Sequence, residues 1–370
     1  MAMIKWKSKM EDKSSPKYAV VGVVGVPANY GGFETLVENL VSDGDVSSGR
    51  NGTEKDFLVF CSGKAYSEKK DSYKNAKLVY IPVNANGIYS VLYDILCLIM
   101  CVFYRPKTIL VLGVSGAIFI PVLKLFFYGK IVTNIDGLEW RRAKWGRIAK
   151  RFLKLSESIA VKFSDIVISD NKAIADYVRE EYDKNSLVIA YGGDHAVSLC
   201  HDDIVVEDNA FSLCRIEPEN NVHLILESFS QTDVKLTFVG NWDSSEYGRM
   251  LKDKYSTFKN ITILDPIYDI HKLFTLRSAC RFYVHGHSAG GTNPSLVEMM
   301  HFSKPILCFD CEYNRATTEE QALYFQDVHS LLHIISDARF PDDMGEKMLE
   351  IATRRYRWSI VRQQYLDAMK

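Results

Sequence analysis

The chain has 370 residues, 47% of them hydrophobic and 25% charged, a balance that excludes a disordered or fibrous protein and fits two globular domains better than one. Lys and Arg number 45 against 46 Asp and Glu, a formal net charge of -1. That near-neutrality excludes a global pull toward nucleic acid and confines any basic surface to a local patch.

Residues 1–16 are charged and polar, with no apolar stretch that could serve as a secretory signal, and read as a flexible lead-in. An apolar run from Tyr18 predicts the first strand, a Gly-rich turn follows, and a helical pattern starts at Phe33. Residues 42–55 form a polar loop rich in Gly and Ser. Strands are expected at 57–61 and 77–82, a helix at 91–104, a strand at 108–112 and a helix at 117–128. A strand at 130–134, a helix at 140–163 and strands at 166–169 and 187–190 complete the first half. The pattern restarts after the polar stretch 200–209. Strands at 210–213, 234–239, 261–264, 282–285 and 306–309 alternate with helices at 221–230, 248–255, 269–278 and 294–302. Two helices, 343–356 and 359–368, close the chain. Short continuous apolar runs separated by helices predict parallel sheets covered on both faces, hence an α/β chain of two doubly wound halves. Domain limits are expected at 17–191 and 192–345, with a hinge near Tyr191, Gly192 and Gly193, and with helices of 346–370 able to cross back to the first domain.

The eight cysteines (61, 97, 101, 200, 214, 280, 308 and 311) mostly sit in apolar runs, as expected of small core residues in a reducing compartment. Cys308 and Cys311 have metal spacing, but no second such pair accompanies them. The apolar stretches 91–104 and 109–123 fall short of the roughly 20 residues that span a bilayer. They are expected to be buried core, with a surface partly immersed in lipid as the alternative.

Two segments carry chemistry. Gly22 to Glu34 (GVVGVPANYGGFE) follows the first strand and opens the first helix, where glycines let backbone approach a ligand and helix N–H groups face an anion. It is not a G-x-G-x-x-G turn, no acid ends the second strand, and no P-loop pattern occurs, which argues against NAD(P) and against a P-loop nucleotide site. His285 to Glu298 (HGHSAGGTNPSLVE) runs from a strand end through a small-residue loop into a helix beginning at Pro294. The N–H groups of 291–295 suit a diphosphate, and Glu298, one turn on, suits a pair of sugar hydroxyls at the carboxyl edge of the sheet.

The motifs PANYGGFET (27–35), NIDGLEWRRAKW (134–145), RIEPENN (215–221), HGHSAGGTNPSLVE (285–298) and FDCEYNR (309–315) together resemble the GT-B glycosyltransferases of family 4, in their bacterial rhamnosyltransferase branch. The resemblance spans nearly the whole chain. It implies two Rossmann-like doubly wound domains facing across a cleft, and retention at the anomeric carbon. It also implies donor contacts from Gly31, Gly32, Arg215, Asn220, His287, Gly290, Gly291, Thr292, Asn293, Ser295 and Glu298. Arg215 would neutralise the diphosphate leaving group, while Asn220 stands where the family usually has a lysine. Glu298 matches the second glutamate of the E-x7-E motif, which holds the ribose, and Gly290 replaces the first. Losing that first carboxylate argues against a glucose-type donor and fits a 6-deoxy sugar.

Asp136 takes the place of the family's active-site histidine, so Asp136, Arg215 and Glu298 form the implied catalytic set. Tyr30, Asp136, Glu139, Trp140, Arg141, Arg142 and Lys144 are the implied acceptor contacts. Neither a metal nor a cofactor is expected. From Arg141 to Lys154 the sequence packs seven cations into fourteen residues, beside an apolar stripe of Trp145, Ile148, Phe152, Leu155 and Ile159. Such a helix suits anionic lipid or the diphosphate of a lipid-linked acceptor, with a solvated helix face as the plain alternative. The expected partners are therefore a nucleotide-sugar donor, a lipid-linked sugar acceptor and the inner face of a membrane approached from the cytoplasm, and not nucleic acid. The expected activity is transfer of L-rhamnose from dTDP-rhamnose in polysaccharide assembly. A UDP-hexose transferase is the alternative within the class; a sugar-nucleotide epimerase and a non-catalytic donor-binding subunit are the alternatives outside it.

Overall fold

A computed structural model describes residues 15–28, 31–42, 55–142, 145–197, 204–337 and 339–370. Nearly all of the expected lead-in and of the polar loop 42–55, with Tyr30, Lys144 and Cys200, lie outside the described residues. The chain divides into two compact units. The first holds Met1–Ser169, Ala175–Ile189 and Arg362–Lys370; the second holds Asp170–Ile174 and Ala190–Val361.

The first unit is built on strands β1 (Tyr18–Val21), β2 (Phe57–Ser62), β3 (Ser72–Tyr73), β4 (Ala76–Ile81), β5 (Thr108–Leu112), β6 (Lys130–Asn134), β7 (Ile166–Ser169) and β8 (Leu187–Val188). Their order is β3-β4-β2-β1-β5-β6-β7-β8, parallel except for the β3–β4 pair. Every residue of β1, β2 and β5 is buried, which is why these segments read as unbroken apolar runs. Tyr18 pairs with both Phe57 and Thr108, so β1 lies at the centre, where the strand order reverses.

The second unit has strands β9 (Asn209–Leu213), β10 (Lys235–Val239), β11 (Ile261–Leu264), β12 (Phe282–His285), β13 (Ile306–Phe309) and β14 (Leu323–Phe325). All are parallel, in the order β11-β10-β9-β12-β13-β14. Its core gathers Phe229, Phe238, Trp242, Phe282 and Phe325 between the sheet and its helices. The last helix, Trp358–Met369, begins in the second unit and ends in the first, where the Thr108 hydroxyl donates to the Met369 carbonyl at 2.8 Å.

Two expectations need correction. The helix expected at 117–128 is a 3-10 turn, Ala117–Phe119, followed by the short helix Ile120–Leu123. Leu125 and Phe126 then donate to carbonyls three residues back, tightening the chain into a turn. The helix expected from Trp140 is a 3-10 turn, Glu139–Arg141, and a helix Arg147–Phe163, with extended Gly146 before the latter. That helix buries Leu153, Ser156, Glu157, Ala160 and Val161. The apolar stripe singled out from the sequence faces outward in part, with Ile148 85% and Leu155 53% exposed. Gly192 and Gly193, where the hinge is expected, are closely packed. A Cβ on Gly192 would come 2.5 Å from the Trp358 ring, and one on Gly193 would come 2.6 Å from the Val297 carbonyl.

Candidate functional site

In the second unit β9 and β12 are neighbours at the point where the strand order reverses, and the loops leaving their carboxyl ends meet there. Arg215 follows β9 with its side chain 49% exposed and a guanidinium nitrogen 3.9 Å from Glu217, so its charge is available to a ligand. Asn220 is turned inward and does not present its amide to a donor. Its Nδ2 donates to the Arg215 carbonyl at 2.7 Å, and its Oδ1 lies 2.6 Å from His287 Nδ1. The pair ties the two loops together and places a His287 proton on Nδ1. Asn314 donates to the His287 carbonyl at 2.8 Å and braces it from behind. His285, at the end of β12, is buried and stacked on Tyr283; burial, and then the neighbouring His287, hold it well below its ordinary value. It stays neutral.

The loop beyond is held by a buried polar network that the sequence did not announce. Thr292 N–H donates to Asp170 Oδ2 at 3.2 Å, and Thr292 Oγ1 donates to the Asp170 carbonyl at 2.6 Å. Asn171 Nδ2 reaches Thr292 Oγ1 at 3.3 Å and also the Tyr313 carbonyl and Thr317 Oγ1, both at 3.1 Å. Asp170 so crowds the loop that a Cβ on Gly291 would fall 1.8 Å from its Oδ1, so only glycine fits there. Gly290 has φ +90 and needs glycine for its backbone conformation. Asn293 caps the Pro294–Met300 helix, its Oδ1 accepting from Ser295 N–H at 3.0 Å and from the Ser295 hydroxyl at 2.8 Å. The expectation of free N–H groups along 291–295 is thereby narrowed. Those of Thr292 and Ser295 are already used, and Pro294 has none.

Glu298 lies on that helix with its side chain 17% exposed. One oxygen pairs with Arg277, itself nearly buried, and the other lies 3.3 Å from His195 Nε2. Trp358 Nε1 donates to His195 Nδ1 at 3.0 Å, which leaves the imidazole proton on Nε2, facing the carboxylate. Burial pushes the Glu298 carboxyl up, but the Arg277 charge and the His195 hydrogen bond overcome that and hold it below the usual range. The result is a carboxylate kept ionised and fixed in orientation in a mostly dry place, able to accept hydrogen bonds from a vicinal diol.

In the first unit, Gly31 and Gly32 open the Gly32–Leu40 helix. Gly31 has φ +133, and a Cβ there would meet Glu34 Oε2 at 1.9 Å. Glu34 Oε1 accepts Val24 N–H at 2.9 Å, and Glu38 Oε2 accepts Ala28 N–H at 2.9 Å, so two carboxylates one turn apart anchor the glycine turn. Asp136 follows β6 in the left-handed region, φ 62, a strained backbone for this residue type. Its N–H donates to Asn134 Oδ1 at 2.8 Å, and Asn134 in turn donates to the Tyr365 hydroxyl.

The expected acceptor contacts divide. Glu139 is bridged by Arg142 at 3.1 Å and by Trp145 Nε1 at 2.9 Å, while Arg141 is exposed above the Trp140 and Tyr177 rings. Trp140 turns inward, its Nε1 donating to buried Glu157 at 3.0 Å, so it is a structural residue. Lys154 is likewise consumed: its ammonium sits 4.8–4.9 Å from the centres of the Trp140, Tyr177 and Tyr182 rings and 2.8 Å from Glu181. It is not part of a lipid-facing stripe.

Asp170, Asn171, His195, Arg277 and Trp358 escaped the sequence reading. Asp170 and Asn171 directly follow β7 of the first unit yet belong to the second, and Arg277 sits on a helix with no motif around it. Among the described residues no group of three or more His, Cys, Asp or Glu side chains could hold a metal ion. The seven described cysteines are free, and Cys311 Sγ lies 3.8 Å from the His287 carbonyl.

Residues 16–194, just under half of the chain, match a family described as "Domain of unknown function (DUF1972)". No curated protein matches by sequence. Among solved structures, the chain is similar to sucrose-phosphate synthase from Thermosynechococcus elongatus, with a TM-score of 0.72 and 14% identity over 95% of this chain and 98% of that one. It is also similar to HepE of Anabaena, solved with UDP and glucose, with a TM-score of 0.66 and 13% identity over 96% and 99% of the two chains. A Listeria monocytogenes protein assigned as a UDP-N-acetylglucosamine 2-epimerase matches with a TM-score of 0.59 and 11% identity over 95% of both. The fold is thus that of the GT-B glycosyltransferases, two Rossmann-like units, shared with the Listeria protein.

Proposed function

We propose that the protein is a retaining glycosyltransferase that takes L-rhamnose from dTDP-rhamnose and delivers it to a lipid-linked sugar in polysaccharide assembly. The observation that carries the reading is the Glu298 carboxylate, held ionised by Arg277 and His195 beside a glycine loop at the switch point of the second sheet. There it would accept the ribose hydroxyls of the nucleotide, and the exposed Arg215 guanidinium would take up charge developing on the departing diphosphate. Gly291 and Asn293 supply N–H groups to the same anion. Leaving-group stabilisation of this kind needs no protein nucleophile, and transfer on one face of the sugar follows from the family resemblance. Asp136, in its strained turn, is assigned to the acceptor hydroxyl. Gly290, with no carboxylate to grip a sugar hydroxyl, supports a 6-deoxyhexose donor over a hexose.

The epimerase reading stays open because the Listeria protein shares the fold. The deciding assay supplies dTDP-rhamnose, UDP-glucose or UDP-N-acetylglucosamine to the purified protein, with and without a lipid-linked disaccharide, and follows products by mass spectrometry. Rhamnose transfer only when acceptor is present is the expected result. Consumption of UDP-glucose in its place moves the donor to the UDP-hexose alternative. Acceptor-independent conversion of UDP-N-acetylglucosamine would replace transfer by epimerisation, and no turnover of any donor would leave a binding subunit.

A further inference from the structure

The sequence favours buried core for the 91–104 segment, with partial immersion in lipid as the alternative, and offers the basic helix as a second lipid-facing candidate. The structure distributes these features differently. The helix Tyr89–Tyr104 (YSVLYDILCLIMCVFY) carries one charged residue, Asp94, and that residue is buried. A helix apolar round its circumference normally has protein on every side. Here Leu92 is 51% and Phe103 56% exposed, and Leu96 and Ile99, on the same helical face, are only half-buried. The short helix Ile120–Leu123 packs beside it and leads into a turn where Leu125 is 68%, Phe126 64% and Tyr128 94% exposed.

These two apolar turns are joined at one end of the first sheet. Thr108 pairs with Lys130 across β5 and β6, and Lys130 N–H donates to the Lys107 carbonyl at 3.0 Å. The Phe103–Lys107 turn and the Leu125–Lys130 turn therefore lie side by side. Their cations are Arg105 and Lys107, both exposed, and Lys130; among the described residues none of the three has an acidic partner within ion-pair distance. From Ile95 to Ile135 the sequence contains no Asp or Glu at all. Aromatic and aliphatic side chains standing beside unpaired cations form the pattern of a surface that seats in the headgroup region of an anionic bilayer.

We infer that this face, formed by the outer side of the Tyr89–Tyr104 helix and the Leu125–Tyr128 turn, docks the protein on an anionic lipid bilayer. The helix lies along the membrane plane; no helix among the described residues is long and apolar enough to cross one. A second copy of the chain is the poorer occupant, because an isologous contact uses the same patch on both copies and would bring the cationic patch of Arg105, Lys107 and Lys130 into an interface with a second patch of the same sign. The inference deepens the lipid-linked-acceptor part of the proposed function by naming the surface. It does not rest on the donor, since vesicle binding and nucleotide turnover are separate measurements and either can fail alone.

The test is co-sedimentation of the full chain with vesicles of phosphatidylcholine alone or mixed with phosphatidylglycerol, at low and high salt. Wild-type protein is expected to bind the mixed vesicles and to be released by salt. Leu125→Glu with Phe126→Glu should weaken partitioning by about tenfold or more. Arg105→Gln with Lys107→Gln should weaken it roughly 25-fold at low salt. Tyr128→Glu, at the most exposed position, guards against misfolding of the double variants, and unchanged thermal unfolding checks each one. Lys150→Glu with Arg151→Glu, on the basic helix, should change binding by less than about twofold. The inference is overturned if wild-type protein ignores anionic vesicles, if the apolar variants bind as wild type does, or if the basic-helix variant alone abolishes binding. A dimer dissolved by Leu125→Glu in sedimentation velocity, without vesicle binding, would also overturn it.

Discussion

Gly291→Ala is the sharpest probe of the proposed donor loop. The added Cβ would stand 1.8 Å from Asp170 Oδ1 and 2.4 Å from its Cγ. An unstrained contact needs about 3.5 Å, so one side must yield by more than about 1 Å. Asp170 cannot rotate away cheaply: it is 2% exposed, and its other oxygen holds Thr292 N–H. The loop must therefore move. Overpacking of this kind costs about 1–3 kcal/mol, and a displacement near 1 Å at the proposed diphosphate contacts should lower turnover by about 100-fold. Asp170→Ala alone strands the Thr292 N–H and should cost about 1–3 kcal/mol. Because that change also vacates the space the new methyl needs, the double variant should be less damaged than the sum of the singles by about 1 kcal/mol or more. Urea unfolding of the four proteins, with turnover measured in parallel, closes the cycle. Strict additivity, or a Gly291→Ala variant with wild-type stability and rate, would refute the reasoning.

Four other outcomes are expected. Arg215→Ala should lower turnover by about 2.7–4 kcal/mol of lost charge stabilisation while leaving stability within about 0.5 kcal/mol, since the side chain is half exposed; an unchanged rate removes it from the site. Arg277→Met should cost about 3–5 kcal/mol at neutral pH by leaving a buried carboxylate unpaired. Glu298 titrates below its unfolded value of about 4.3, so the pair's contribution is present above that pH and disappears as pH falls through the lower folded value. The wild-type advantage should therefore shrink in acid, and a pH-independent difference would contradict the pairing. Asp94 runs the other way: burial pushes its carboxyl up to about 8, only partly offset by the Gly116 N–H. The unfolded chain loses this proton near pH 3.9, so stability should decline between the two values by up to about 1.4 kcal/mol per pH unit, and Asp94→Asn should flatten the profile; identical profiles would dismiss the shift. Lys154→Glu should destabilise by roughly 3 kcal/mol, because Glu157 beside it is 1% exposed, whereas Lys150→Glu should be nearly silent; equal effects would mean that the ring cage is not a structural unit.

Strands were the most legible part of the fold, because a strand covered on both faces has no alternation to misread. β5 and β6 fall at 108–112 and 130–134, as the apolar runs predict. Helix limits were harder to read. The run ending at Tyr128 looks helical by composition, yet the chain tightens after Leu123 and throws three large apolar side chains into solvent. The Arg147–Phe163 helix misled for a physical reason: it buries Ser156 and Glu157, whose polar groups are satisfied by Val114, Trp140, Tyr177 and Tyr182, while leaving Ile148 outside. The spacing of apolar residues cannot foresee a buried carboxylate that three distant residues will satisfy. In the proposed site, Arg215 and Glu298 were singled out by motifs. Arg277, His195 and Asp170 were not, because each acts through a contact made by folding across more than twenty positions of sequence.

Calorimetric titration of the purified protein with dTDP, UDP and GDP, each in turn, tests the donor site most directly. Selective dTDP binding, weakened in Arg215→Ala, is the expected result. Binding of none of the three would contradict a nucleotide-sugar site at Glu298.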